Sequence, residues 1–270
     1  MPKYSSKKNA PSSNIAYSAL LPNHVEVRYG RLAFGGDPQL VMFAAQNLKD
    51  KKWEASGSGF PVLHRGVVSI VTAGHVAAAL EGKVVVLKGP EGSVVLKPQQ
   101  CRMLFNEDVD LSIITIPSSQ LATLFGICTC IDLEDNLMSV ADSGVSSLYQ
   151  VYGYPLSKNR FSNTEGWTRE GFRISLGTQA VVPSRSKLLD LGIPLFAFDI
   201  DLKDLVDDQF EKYDRLGALR GLSGGPVLRH EVKTSGVGRI AGIFLEWHSV
   251  ERTAVVLPAT AIKAAFEIWE

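Results

Sequence analysis

Gly221-Leu222-Ser223-Gly224-Gly225-Pro226 sets one serine among three glycines, just before the apolar pair Val227 and Leu228. Glycine permits backbone angles and close approaches that other residues resist. The stretch therefore reads as a tight turn with its hydroxyl presented outward, where neighbouring amide N–H groups can converge. Acyl transfer needs that pairing of a nucleophile with donors for an oxyanion. By itself the pattern equally fits an ordinary glycine turn, and two upstream stretches supply the missing chemistry. Val71-Thr72-Ala73-Gly74-His75 ends an apolar run with a small-residue turn and an imidazole, which can take and return a proton near neutral pH. Asp108-Val109-Asp110 puts a carboxylate directly before the run Leu111 to Ile116. A buried aspartate is costly unless paired, and an imidazole N–H is a natural partner that fixes the ring tautomer. Asp110 abuts the apolar run and is preferred to Glu107 and Asp108. Taken singly, His75 also fits a hydrogen-bonded strand end and Asp110 a strand-start turn. His24, His64, His230 and His248 keep that plainer reading, since none sits in an equally constrained glycine turn.

Composition bounds the setting. The chain has 270 residues, enough for one or two packed units, and 45% are apolar, so a large core can be buried. Lys plus Arg and Asp plus Glu both number 28, giving zero formal charge. A general nucleic-acid binder normally shows a basic excess, so no nucleic-acid partner is expected. No apolar run approaches the roughly 20 residues that cross a bilayer, and no membrane partner is expected. The polar start, Met1 to Asn14 with Lys3, Lys7 and Lys8, has no apolar segment of a secretory signal after it. Read as a full precursor, the chain is expected in the cytoplasm. Its three cysteines, Cys101, Cys128 and Cys130, fit a reduced compartment. Cys128-Thr129-Cys130 lacks zinc spacing, so neither metal nor cofactor is expected, and the two would share one face of a strand as small buried residues.

Residues 1–24 read as a disordered or extended segment, rich in Ser, Lys, Asn and Pro at its start. Short β-branched runs parted by turn residues follow: Leu40 to Ala45, Pro61 to Leu63, Gly66 to Val71, Lys83 to Leu87, Ser93 to Leu96 and Leu111 to Ile116. Ser118 to Asn136 reads as a connector with a short helix. A second series comprises Gln150 to Pro155, Phe172 to Gly177, Gln179 to Pro183, Phe196 to Asp201, Val227-Leu228, Ile240 to Leu245 and Thr253 to Leu257. Pro258 to Glu270 reads as a closing helix with proline at its start. Two similar halves, 25–135 and 136–270, suggest two all-β barrels or a pair of sandwiches.

The candidates run in the order His75, Asp110, Ser223, with steps of 35 and 113 residues, which is the chymotrypsin order rather than that of two other hydrolase folds. The chain resembles the chymotrypsin/trypsin-like serine peptidases, and looks closest to their bacterial and HtrA-like members. The residues that carry the resemblance are Gly57-Ser58-Gly59-Phe60, Thr72-Ala73-Gly74-His75, Asp110-Leu111-Ser112-Ile113-Ile114, Gly153-Tyr154-Pro155, Gly221 to Pro226 and Ala241-Gly242-Ile243. The resemblance implies two six-stranded antiparallel barrels with a C-terminal helix, and a site in the cleft between them. It implies a serine endopeptidase acting on a protein or peptide through an acyl-enzyme. Ser223 would be nucleophile, His75 base and then acid, Asp110 the group that orients the ring, and the N–H groups of Gly221 and Ser223 the oxyanion hole.

Two departures matter. Leu222 stands where trypsin-like zymogens have an aspartate that pairs with a freshly cut N-terminus, so activation by such cleavage is not expected. A bulky Leu222 could also tilt the turn, and an enzyme whose site is ordered by a regulatory partner or ligand is expected. The specificity pocket, by resemblance, involves Gly217, Ala218 and Leu219, together with Phe244, Leu245, Glu246 and Trp247. Glu246 is expected to face solvent, and Trp247 either walls the cleft or caps the core. Rival readings are a non-catalytic protein-binding module on the same fold, and an esterase or acyltransferase.

Overall fold

A computed structural model describes residues 27–29, 38–46, 51–106, 108–126, 128–134, 147–156, 159, 161–162, 166–167, 171–177, 180–193, 195–200, 219–231 and 238–269. The β-branched runs pair as antiparallel sheets that curl into two half-barrels, and the chain is all-β apart from short helices. In the N-terminal half the strands are β1 (Val27–Tyr29), β2 (Val41–Gln46), β3 (Trp53–His64), β4 (Val67–Ala73), β5 (Val84–Lys88), β6 (Ser93–Leu96), β7 (Arg102–Asn106), β8 (Leu111–Thr115) and β9 (Cys128–Asp132). They run β6-β5-β2-β3-β4-β8-β7, with β9 attached in parallel to β3 and β1 in parallel to β9. Among the described residues that is nine strands where six were expected. The extra ones include β9, inside the stretch read as a connector, and β7, an edge strand whose exposed Arg102, Met103 and Phe105 break the alternation. The connector also holds the expected helix, α2 (Ser118–Phe125), after α1 (Gly74–Ala78) has followed β4.

The C-terminal half contains β10 (Ser147–Gly153), β11 (Phe161–Ser162), β12 (Gly166–Trp167), β13 (Phe172–Leu176), β14 (Phe196–Asp199), β15 (Pro226–Glu231), β16 (Gly238–His248) and β17 (Thr253–Pro258), then the helix α3 (Ala259–Trp269). Six of these form one antiparallel sheet, β13-β10-β15-β16-β17-β14. The strand expected over Gln179 to Pro183 does not form across its described residues, 180–183: Val181 is exposed and Ala180 makes a lone backbone bond to Ala197 O at 2.8 Å. One backbone bond to a neighbouring strand does not make a ladder, so the run stays irregular although Val182 packs on the core and Pro183 is buried.

One apolar cluster joins the two halves. Phe43, Phe60, Ile70 and Leu87 of the first sheet pack in the same cluster as Leu228, Ile243, Leu257 and α3 residues Ile262 and Phe266. Helix α3 reaches the first half directly: Phe266 stacks on buried His64 with ring centroids 5.0 Å apart, and Lys263 Nζ bonds Glu134 Oε2 at 2.7 Å. A second cluster lies within the C-terminal sheet and contains Val151, Ile174, Phe198, Leu222, Phe244 and Val256. Burying each such side chain contributes about 1.5–3 kcal/mol, so the halves are held to one another by the hydrophobic effect that holds each together.

The cysteines lie where the alternation put them, with Cys128 and Cys130 both buried, their sulfurs 3.3 Å apart on one face of β9. The bond to Cys128 and then burial push the Cys130 thiol well above its ordinary range, and burial raises Cys101 as well. Only thiolates attack disulfide reagents. Native protein titrated with a thiol reagent at neutral pH is therefore expected to release colour slowly from Cys101 alone, with all three thiols reacting in denaturant. Rapid native reaction of two or more would overturn the buried placement of the pair.

Candidate functional site

Helix α1 begins without a cap from its own N-cap residue: Ala73 offers no side-chain bond. The orphan N–H groups of a helix start need partners, and here Asp110 provides them from another strand end. The Gly74 N–H donates to Asp110 O at 2.8 Å, and the His75 N–H donates to Asp110 Oδ1 at 2.6 Å. The other carboxylate oxygen, Oδ2, lies 2.8 Å from His75 Nδ1. A carboxylate oxygen accepts, so Nδ1 is the donor in this pair and Nε2 faces away from Asp110. Asp110 achieves this with φ +50°, in the left-handed region that aspartate tolerates better than most residues. Its side chain is 16% exposed against 49% for the imidazole, so the carboxylate is covered while the ring faces outward. Phe105 of β7 lies against Gly74 at the same point, close enough that a methyl group on Gly74 would meet its ring at 2.7 Å.

Ser223 sits on the turn between Leu219 and β15, and the turn abuts the strand end that carries His75. A methyl group added to Gly57 would lie 2.8 Å from Val76 Cγ1 and 2.9 Å from Ser223 O. One added to Gly224 would collide with Ser58 O and the Thr72 hydroxyl and lie 2.9 Å from Ala73 N. Only bare glycine lets these backbones come so close. The structure thus brings the imidazole, carboxylate and serine segments together. The Ser223 hydroxyl donates to Leu245 O at 3.1 Å, and among the described residues no hydrogen bond joins it to His75. Leu245 is available because β16 bulges there: Phe244 and Glu246 pair with consecutive residues of β17, Val256 and Val255, and Leu245 is skipped.

The turn's backbone bonds can be followed peptide by peptide. The carbonyl of Arg220 accepts from Leu156 N–H at 2.7 Å, that of Gly221 from Ser58 Oγ at 2.6 Å, that of Leu222 from Gly225 N–H at 2.8 Å and that of Ser223 from Ser58 N–H at 2.9 Å. Three N–H groups are also engaged: Leu222 to Leu219 O at 3.3 Å, Gly224 to Phe244 O at 2.8 Å and Gly225 to Leu222 O at 2.8 Å. Among the described residues, the N–H groups of Gly221 and Ser223 have no partner. Gly221 takes φ +95° to turn this way.

Leu222 is fully buried in the C-terminal cluster and touches the Gly153 position. It anchors the turn by packing, at the position where the trypsin-like zymogens of the resemblance have an aspartate. Of the expected pocket residues, Gly217 and Ala218 lie outside the described residues. Leu219 and Leu245 are buried, so only the Leu245 carbonyl reaches the serine. Glu246 does not project freely into solvent as expected: its Oε2 accepts from Ser186 Oγ and His248 Nε2, both at 2.8 Å, and it is 20% exposed. Trp247 is half-buried and packs against the C-terminal cluster. Sequence reasoning missed the part played by Ser58, whose signal was the hydroxyl placed between two glycines. It also missed the capping of α1 by Asp110, whose signal was the absence of a capping side chain before Gly74. Among the described residues no cluster of metal-ligating side chains exists, and no helix is long and apolar enough to cross a membrane.

No protein-family model matches the chain, and no curated protein matches it. Among solved structures it is similar to the MamO protease domain from Magnetospirillum magneticum in its apo form, at 12% identity and a TM-score of 0.49, covering 84% of this chain and 95% of that one. It is similar to the serine endoprotease from Yersinia pestis at 14% identity and a TM-score of 0.46, covering 88% and 63%. A third likeness is to the HtrA-type protease AlgW with tripeptide, at 11% identity and a TM-score of 0.49, covering 88% and 60%. The chain spans less than two thirds of the length of the last two.

The glycine turn offers a direct check. Gly224 has φ +87° and no room for a methyl group. Gly224→Ala is expected to cost about 1–3 kcal/mol or more, read as a lowered urea midpoint with an unchanged slope. Wild-type stability in that variant would show that the turn does not approach Ser58 and Ala73 as closely as described.

Proposed function

We propose that the chain is a serine endopeptidase of the trypsin-like kind, with His75, Asp110 and Ser223 as its catalytic residues. One observation carries the reading: Asp110 binds His75 twice, at backbone and ring, and so presents Nε2 on the strand end against which the Ser223 turn packs. In the proposed reaction Ser223 Oγ attacks the carbonyl carbon of a peptide bond while His75 Nε2 takes the hydroxyl proton. The carbonyl oxygen becomes an oxyanion, and the free N–H groups of Gly221 and Ser223 are the donors assigned to it. His75 then gives the proton to the departing amine, leaving an ester on Ser223. Water, deprotonated by the same nitrogen, hydrolyses that ester. Asp110 keeps the ring in one tautomer and stabilises the imidazolium. A protein or peptide substrate follows from the resemblance of the motifs, as does the division into barrels over 25–135 and 136–270.

The bond from Ser223 Oγ to Leu245 O supports a site at rest until a substrate or partner arrives. The hydroxyl must leave that carbonyl before it can meet Nε2, and a regulatory partner or ligand that favours the released rotamer would raise activity. A protein-binding module without catalysis is the rival that the same bond favours.

Labelling with a fluorophosphonate separates them. Wild type is expected to label, Ser223→Ala to lose all label, and Asp110→Asn to label about 10³–10⁴-fold more slowly because the ring then adopts the wrong tautomer. Absence of label in wild type, with and without casein or a peptide library as activator, would leave the binding module as the reading.

A further inference from the structure

Ser58 bonds to the nucleophile turn at two points from the opposite half of the molecule. Its hydroxyl donates to Gly221 O at 2.6 Å across 163 residues of sequence, and its backbone N–H donates to Ser223 O at 2.9 Å. The same hydroxyl accepts the Tyr154 N–H at 2.8 Å. That bond occupies the oxygen as acceptor, and the hydroxyl proton is the one directed at Gly221. Thr72 Oγ1 completes the set by donating to Ser58 O at 2.7 Å. Ser58 is fully buried and lies within β3, opposite Met42 of β2 and next to Gly59, where the pairing with β4 begins, so it is a rigid reference against which the turn is set.

We infer that Ser58 is a positioning residue for the oxyanion donors, an inference that rests on the proposed reading of Gly221 and Ser223. A trans peptide points its C=O and N–H in opposite directions. The Gly221 carbonyl shares its plane with the Leu222 N–H and the Ser223 carbonyl with the Gly224 N–H, so Ser58 fixes the two peptides that bracket the 222–223 peptide, whose N–H is the Ser223 donor, while the donors' own planes contain the Arg220 and Leu222 carbonyls. Leu156 and Gly225 hold the other two carbonyls from within the C-terminal half. Ser58 alone among the described residues ties the turn's carbonyls to the half that carries His75. Its hydroxyl therefore sets the position of the oxyanion donors relative to the base, a coordinate that neither half controls by itself. A donor displaced from the oxyanion loses most of its effect on the reaction while substrate binding is untouched.

The test uses the full chain and a fluorophosphonate probe, resolved into a maximal labelling rate and a half-saturating concentration. Ser58→Ala is expected to lower the maximal rate about 10- to 100-fold and leave the half-saturating concentration within about threefold. Ser58→Cys, which keeps a weaker donor in place, is expected to fall between, and carries the test if the alanine variant fails to fold. Ser69→Ala is the control for lost buried hydroxyls, since Ser69 pairs with Thr115 Oγ1 at 2.8 Å in the same sheet; it is expected to keep both values. A maximal rate unchanged in the Ser58 variants, or one lowered equally in Ser69→Ala, would overturn the role. If wild type itself does not label, the peptidase reading fails, and the positioning role is then judged by hydrogen exchange. In Ser58→Ala the amides of Leu222, Gly224 and Gly225 are expected to lose protection about tenfold, and unchanged protection there would overturn it.

Discussion

Everything at the site depends on two backbones approaching more closely than side chains permit. The serine turn lies against β3 and the end of β4, with Gly57 and Gly224 at the contact. Cβ atoms there would hold the halves apart, and neither the bonds from Ser58 nor the nearness of His75 to Ser223 would survive. The apolar cluster shared by both sheets and α3 supplies the force that keeps this contact closed. The hydrophobic effect is non-directional, so it holds the halves together without aiming any atom. The aim comes from the directional bonds of Ser58, Thr72, Leu156 and Phe244, each of which meets a particular peptide.

Asp110 shows how one carboxylate serves structure and chemistry together. One oxygen caps a helix of only five residues, and the helix is what carries the imidazole. The other oxygen sets the ring tautomer. A helix so short has little stability of its own, so the ring's position depends on the same residue as its protonation pattern. The left-handed backbone of Asp110 is a strained feature of the kind found where geometry is imposed by surroundings. Position and chemistry are thereby coupled: a change that frees the carboxylate also loosens the helix.

The side of the turn that faces the C-terminal sheet is built differently. Leu222 secures the turn by burial rather than by charge, so the anchor does not respond to pH or to a new N-terminus. The Leu245 bulge brings a carbonyl to the serine hydroxyl, and Glu246 beside it is engaged with Ser186 and His248. The Glu246 carboxylate is thus partnered within the chain and does not stand free in solvent.

Much of this was legible in the chain alone. Glycine and proline punctuation, β-branched runs and the closing helix follow local rules, and Ser93 to Leu96 forms β6 as its β-branched run suggested. The order and setting of His75, Asp110 and Ser223 were equally readable, because glycine turns and a carboxylate at an apolar run are local patterns. What the sequence could not contain was direction. That Ser58 reaches Gly221 across 163 residues, that Leu245 offers its carbonyl, and that Glu246 turns to His248 were decided only when two sheets packed. Residue types state which bonds are possible; the relative placement of distant strands, set by register, bulges and shared core, selects the ones that form.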